Sequence, residues 1–183
     1  MPIDKDIGEK NEDPEPAQRQ ENVEGKGSGR NSRILIVDDD ENIRRVLVAI
    51  LEDEGYMVDS VGTGKKGIEA TKRKFYNMAL IDIRLPDMEG TELLTQLKDT
   101  TPRMRKIIIT GYPTLQNAIE AVNRRADGYV MKPFDVKKVL ETIEDQLKKQ
   151  EEEKTYSQSK VAEFIETRVK ELTAEQQLEN KNT

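Results

Sequence analysis

Between residues 33 and 150, five short apolar runs alternate with five stretches of helical periodicity. The runs are Arg33–Val37, Tyr56–Val61, Met78–Ile81, Lys106–Ile109 and Gly128–Met131. The first, third and fourth are apolar almost throughout. Strands buried on both faces look this way, and parallel strands are of that kind. The second run carries Asp59 and Ser60 in its middle and reads as a strand nearer the sheet edge. The helical stretches place apolar residues at spacings of three and four. Ile43, Val46, Leu47, Ile50 and Leu51 form the first set, with Asp39 or Asp40 as cap and Gly55 as stop. A short helix to about Phe75 follows the second run. Leu93, Leu94 and Leu97 mark the third helix, and Leu115, Ala118, Ile119 and Val122 the fourth. The fifth runs from about Asp135, with Val136, Val139, Leu140, Ile143 and Leu147 on one face. This alternation dictates a parallel sheet with right-handed crossovers and helices on both faces. The short connections and small first helix favour the flavodoxin-like, doubly wound α/β order 2-1-3-4-5 for the five-stranded sheet.

The polar residues that end the strands carry the chemistry. Asp38, Asp39 and Asp40 follow the first strand, and Asp82 follows the third. Thr110 ends the fourth, and Lys132 follows the fifth, just before Pro133. In the order 2-1-3-4-5, strands one and three are neighbours, so Asp38, Asp39 and Asp82 meet at the topological switch point, where such folds bind ligands. Carboxylates a few ångströms apart repel by about 4 kcal/mol per pair at an effective dielectric of ~20. A cation among them removes that cost. Hard oxygen donors without His or Cys select Mg²⁺ or Mn²⁺. The set suits phosphoryl transfer to a carboxylate, with the metal and Lys132 neutralising oxygens and Thr110 donating a hydrogen bond. No group here binds a nucleotide, so the donor is expected to be another phosphorylated molecule. A solvated acidic rim with Asp40 as a helix cap is the plainer account of any single acid, but not of four strand ends together.

Composition narrows the classes further. Of the 183 residues, 34% are hydrophobic and 36% charged, as expected of one ordinary domain diluted by polar tails. Residues 1–31 are read as a disordered acidic tail, unable to bury enough surface to offset ordering entropy. The net charge of -6 argues against a nucleic-acid groove. The absence of cysteine excludes disulfides and thiolate sites, and the absence of histidine excludes phosphohistidine chemistry within the chain. No run reaches the ~18 apolar residues of a membrane span, so a cytoplasmic location is expected.

Two other patterns compete. Gly62-Thr63-Gly64-Lys65-Lys66-Gly67 is a literal G-x-G-x-x-G between a strand and a helix, with Asp82 further on, the dinucleotide fingerprint on paper. The preceding strand is polar in its middle and the following helix is short, so glycines in a plain turn are the competing account. A Walker loop is excluded by Asp59 and Lys66 at its defining positions. Asp38-x-Asp40, Thr110 and Lys132 also echo a haloacid-dehalogenase-like phosphatase with Asp38 as nucleophile, although its late acidic pair is missing.

The runs ILIVDDDENIRRVL, MALIDIRLPDMEG, IIITGYPT and DGYVMKPF, over about residues 33 to 150, resemble the four motifs of the response-regulator receiver domain of two-component signalling. The resemblance implies that Asp82 accepts phosphate from a histidine kinase. It implies that Asp38, Asp39 and Asp82 bind Mg²⁺ with the backbone carbonyl of Arg84. It implies a Lys132 contact to the phosphoryl group, a cis Lys132–Pro133 bond, and a switch pair of Thr110 and Tyr129. For Tyr129 a packed aromatic at the sheet edge is the plain alternative. Gly111 would leave the site accessible, and Arg84 and Tyr112 occupy positions that affect phosphate lifetime. The implied protein is a phospho-accepting switch and not an enzyme, beyond self-phosphorylation from small donors and slow autodephosphorylation. Its output surface would be the fourth helix, fifth strand and fifth helix, read by a protein target or a second copy. Asp127 is either a turn acid or a dimer salt-bridge residue.

A receiver at 32–150 leaves 151–183 as a helical extension. Val161, Phe164, Ile165, Val169 and Leu172 form a second apolar stripe there. Such a stripe can fold back on the receiver, pair with a partner helix or self-associate. It is too short for a DNA-binding output, so a stand-alone receiver without direct DNA binding is expected.

Overall fold

The computed structural model describes residues 31–98 and 100–179. The expected tail at 1–31 therefore lies outside the described residues, apart from Asn31. Five strands and five helices alternate: β1 Arg33–Val37, α1 Glu41–Asp53, β2 Met57–Val61, α2 Gly64–Arg73, β3 Met78–Ile81, α3 Gly90–Gln96, β4 Arg105–Thr110, α4 Leu115–Asn123, β5 Gly128–Met131 and α5 Val136–Glu179. The sheet is wholly parallel in the order β2-β1-β3-β4-β5, as the alternation requires.

Period-two alternation divides the core. Ile34, Ile36, Met78, Leu80, Ile107 and Ile109 point to one face, which Leu47 and Leu51 of α1 and Val139, Ile143 and Leu147 of α5 cover. Leu35, Val37, Ala79, Ile81 and Ile108 point to the other, against Leu93 and Leu94 of α3 and Ala121 of α4. The central strands β3 and β4 are buried throughout, whereas edge strand β2 is only partly covered.

Local chemistry sets the helix ends. Asp40 caps α1 by accepting from the amides of Asn42 and Ile43 at 2.8 and 3.3 Å. Past α1, Gly55 takes a φ of 89°, a left-handed value that glycine adopts without a Cβ clash. Thr63 caps α2 and Thr114 caps α4.

The helical stripes of the sequence are only partly turned inward. Val46 is 52% exposed, and its neighbour Val48 packs on the core in its place. On α4 the contrast is larger. Ala121 is buried while Leu115, Ile119 and Val122 stand in solvent, Leu115 at 79% exposure. A helix that seats itself through a small residue lies close to its neighbours and leaves its large apolar residues outward. Helix α5 passes through the expected boundary at 150 without a break and runs for 44 residues, about 66 Å.

Candidate functional site

The parallel register carries the strand ends to one edge. Val37 pairs with Ile81, so Asp38 and Asp82, the next residues, emerge side by side. Thr110 pairs with Met131, which brings Lys132 to the same edge. Asp38 and Asp82 are buried, Asp82 at 6% exposure, and Asp39 is exposed. One carboxylate oxygen from each of Asp38, Asp39 and Asp82 lies within 4.8 Å of the others.

The two buried acids are not equivalent. Asp38 accepts from the Asp40 amide at 2.9 Å and from Lys132 Nζ at 2.6 Å, so both its oxygens are engaged. Asp82 Oδ1 stands 3.3 Å from the same ammonium but accepts no hydrogen bond. A buried carboxylate oxygen without a donor is costly, and here it faces the acidic cluster. Burial raises the Asp82 carboxyl above its ordinary value; Lys132 opposes the rise and Asp38 adds to it. Burial alone would lower Lys132, but hydrogen bonding to Asp38 and the charges of Asp38 and Asp82 outweigh it and hold the ammonium above its ordinary value.

The donor set fits a hard divalent cation. All three ligand candidates are carboxylates, one is exposed toward solvent, and the buried Asp82 oxygen accepts no hydrogen bond.

The remaining predicted residues line the rim. Thr110 is fully buried, and its hydroxyl accepts from the Tyr112 amide at 3.0 Å. Tyr129 is half-buried and packs beside the α2-α3-α4 layer, its hydroxyl without a partner. The Arg84 guanidinium lies over the Tyr112 ring, 3.5 Å from its centroid. The Lys132–Pro133 bond is cis, as is Thr101–Pro102. A Cβ at Gly111 would meet only Lys132 carbons, at 3.8 and 3.9 Å.

Two supporting residues escaped the sequence reading. Arg44 donates to the carbonyls of Asp38 and Asp39, at 2.6 and 3.0 Å, and so pins the acidic turn from the first helix. Nothing in its spacing marks it. Gly90 starts α3 against the backbone beyond Asp82. A Cβ there would lie 2.0 Å from the Asp82 carbonyl oxygen. In the sequence Gly90 is marked only as a loop glycine, and the close approach of the two backbones is not visible there.

The glycine run has a packing role. A Cβ on Gly64 would strike Met88 at 2.5 Å, and one on Gly67 would press Val37 at 3.1 Å. The amides of Gly64 and Lys65 both donate to the Asp87 carboxylate, at 2.9 Å each. The helix end that would receive a pyrophosphate is thus occupied by a side chain of the chain itself. Asp127 also turns inward. Its carboxylate takes Arg103, Arg105 and the Lys106 amide, which favours the turn-acid account.

Comparison with known proteins agrees with this geometry. The chain belongs to the response regulator receiver domain family, which matches residues 34–144. It is 34% identical over 120 residues to the transcriptional regulatory protein ZraR of Klebsiella oxytoca, covering 66% of this chain and 27% of that protein. It is 36% identical over 121 residues to the response regulator ArlR of Staphylococcus saprophyticus, covering 65% of this chain and 54% of the relative. A CheY-like receiver crystal structure from Methanospirillum hungatei superposes with a TM-score of 0.64 at 47% identity, over 67% of this chain and 98% of that one. The chain spans between about a quarter and just over half of the two curated relatives. This corrects the expectation that it does not act on DNA. ZraR is named a transcriptional regulatory protein, so the brevity of the extension is no ground for that exclusion. Among the described residues no helix is long and apolar enough to cross a membrane.

Proposed function

We propose that Asp82 is the phospho-accepting residue of a two-component switch, charged by a histidine kinase. The observation that carries this reading is the buried Asp82 Oδ1, unbonded, beside Lys132 and two further acids. In the transfer, Asp82 oxygen attacks phosphorus, a P–O bond forms, and the P–N bond of the kinase phosphohistidine breaks. The departing imidazole keeps the electron pair and takes a proton from solvent.

Asp38, Asp39, Asp82 and the Arg84 carbonyl would hold Mg²⁺, which when bound offsets negative charge on the incoming phosphoryl group. Lys132 places its ammonium against the same oxygens, and its contact with Asp38 keeps it there. Thr110 turns its hydroxyl from the Tyr112 amide to a phosphoryl oxygen. Tyr129, whose hydroxyl is already buried and has no bond to lose, is the second member of the switch pair. The Arg84 guanidinium, stacked on the Tyr112 ring, is the pair expected to set how long the phosphoryl group persists. The exposed Leu115, Ile119, Val122 and Met131 then form the face whose arrangement a protein target or second copy reads.

The phosphatase alternative would need Asp38 as nucleophile, but both its oxygens already accept hydrogen bonds. Incubation with acetyl phosphate and Mg²⁺ tests the choice. Wild type is expected to gain the mass of one phosphoryl group, and Asp82→Asn none. Labelling that persists in Asp82→Asn and vanishes in Asp38→Asn would move the nucleophile to Asp38.

A further inference from the structure

Helix α5 repeats the face it buries. Near the sheet, Ile143, Gln146, Leu147 and Gln150 are buried against the receiver. Val161, Phe164, Ile165 and Arg168 each stand 18 residues further on, about five whole turns at 3.6 residues per turn. The distal stripe therefore lies on the same side of the helix as the receiver's own core. Among the described residues, none covers it. Every residue from Thr155 to Thr173 is exposed, Phe164 at 71%. Five large apolar side chains, Val161, Phe164, Ile165, Val169 and Leu172, are left bare on a projecting helix, with the ion pairs Lys160–Glu163 and Arg168–Glu171 beside and among them.

We infer that this stripe is covered by the same stripe of a second copy of the chain, the two helices running antiparallel. Two such stripes together offer on the order of 1,000 Å² of buried surface, the lower bound for a specific interface. Direction follows from the shared azimuth. In a parallel pair, each receiver would project toward the other helix, since it sits on the contact face. The stand-off from Gln150 to Val161 is 11 residues, about 16 Å, too little to clear two domains on one side. An antiparallel pair puts the receivers at opposite ends. It sets Val161 against the partner's Leu172 and Phe164 against the partner's Val169. The association needs no phosphoryl group and is independent of the Asp82 chemistry.

The test uses the unphosphorylated 183-residue chain. Sedimentation at about 100 µM, the weak end of specific affinity, is expected to give a dimer mass. Ile165→Asp is expected to give a monomer with unchanged helical circular dichroism. The chain has no native cysteine, so single-cysteine variants map direction cleanly. In an oxidised mixture of Val161→Cys and Leu172→Cys proteins, the 161–172 disulfide is expected to dominate. A monomeric wild type, a dimer that survives Ile165→Asp, or dominant 161–161 and 172–172 products would each overturn the proposal.

Discussion

Burial keeps the Asp82 proton, Lys132 works against it, and Asp38 works with burial. The folded chain therefore binds this proton more tightly than the unfolded chain, whose carboxyl keeps its ordinary value of 3.8. In the pH range just above that value the unfolded state carries fewer protons, so stability falls as pH rises. At neutral pH the ionised Asp82 is a net cost to folding. Asp82→Asn is expected to unfold at higher urea than wild type at pH 7 in chelator, the gap narrowing as pH falls toward 3.8. A variant less stable than wild type at pH 7 would show that Lys132 outweighs burial. On the proposed function, the same residue is a phospho-acceptor held at the expense of stability.

At the scale of elements, the opposite edge of the sheet holds α5 in place. Gln150 Nε2 donates to the carbonyls of Asn77 and Arg103 at 2.9 and 2.7 Å. Arg105, buried at the start of β4, pairs with Asp127 at 3.1 Å and with Glu153 of α5 at 2.8 Å. These contacts are unequal. The Asp127 side chain is 7% exposed and serves two guanidinium groups, so Asp127→Ala should cost about 3 kcal/mol by leaving the buried Arg105 with only the exposed Glu153. Glu153 is mostly exposed, and Glu153→Ala should cost under about 1 kcal/mol. Urea unfolding of the two variants measures both. Equal losses would mean that the clamp acts through the helix and not through the buried pair.

Over the whole molecule, the acidic cluster joins β1 to β3, and so ties the two halves of the doubly wound sheet. A cation bound there stabilises only the folded chain. Millimolar Mg²⁺ is expected to raise the melting temperature by several degrees, since saturation at 100 times Kd contributes about 2.7 kcal/mol. Asp39→Asn, which removes an exposed ligand without disturbing the core, should shrink that rise. An unchanged rise would place the cation elsewhere.

The strand runs, their order of polar endings and the caps at Asp40 and Gly55 were legible in the chain because each depends on near neighbours and on a two- or four-residue period. The meeting of Asp38, Asp82 and Lys132 followed from topology alone. Which acid is bonded and which is bare did not, because that depends on where one ammonium settles between two carboxylates. Periodicity marked Val46, Leu115 and Val122 as inward, yet only packing decides which side of a stripe meets a neighbour. Arg44 and Gly90 support the site through contacts with backbone, which no residue pattern encodes. The apolar stripe at 161–172 was visible from the outset. That it repeats the buried face of α5 and stands uncovered is a property of one unbroken helix, settled only when its root was fixed against the sheet.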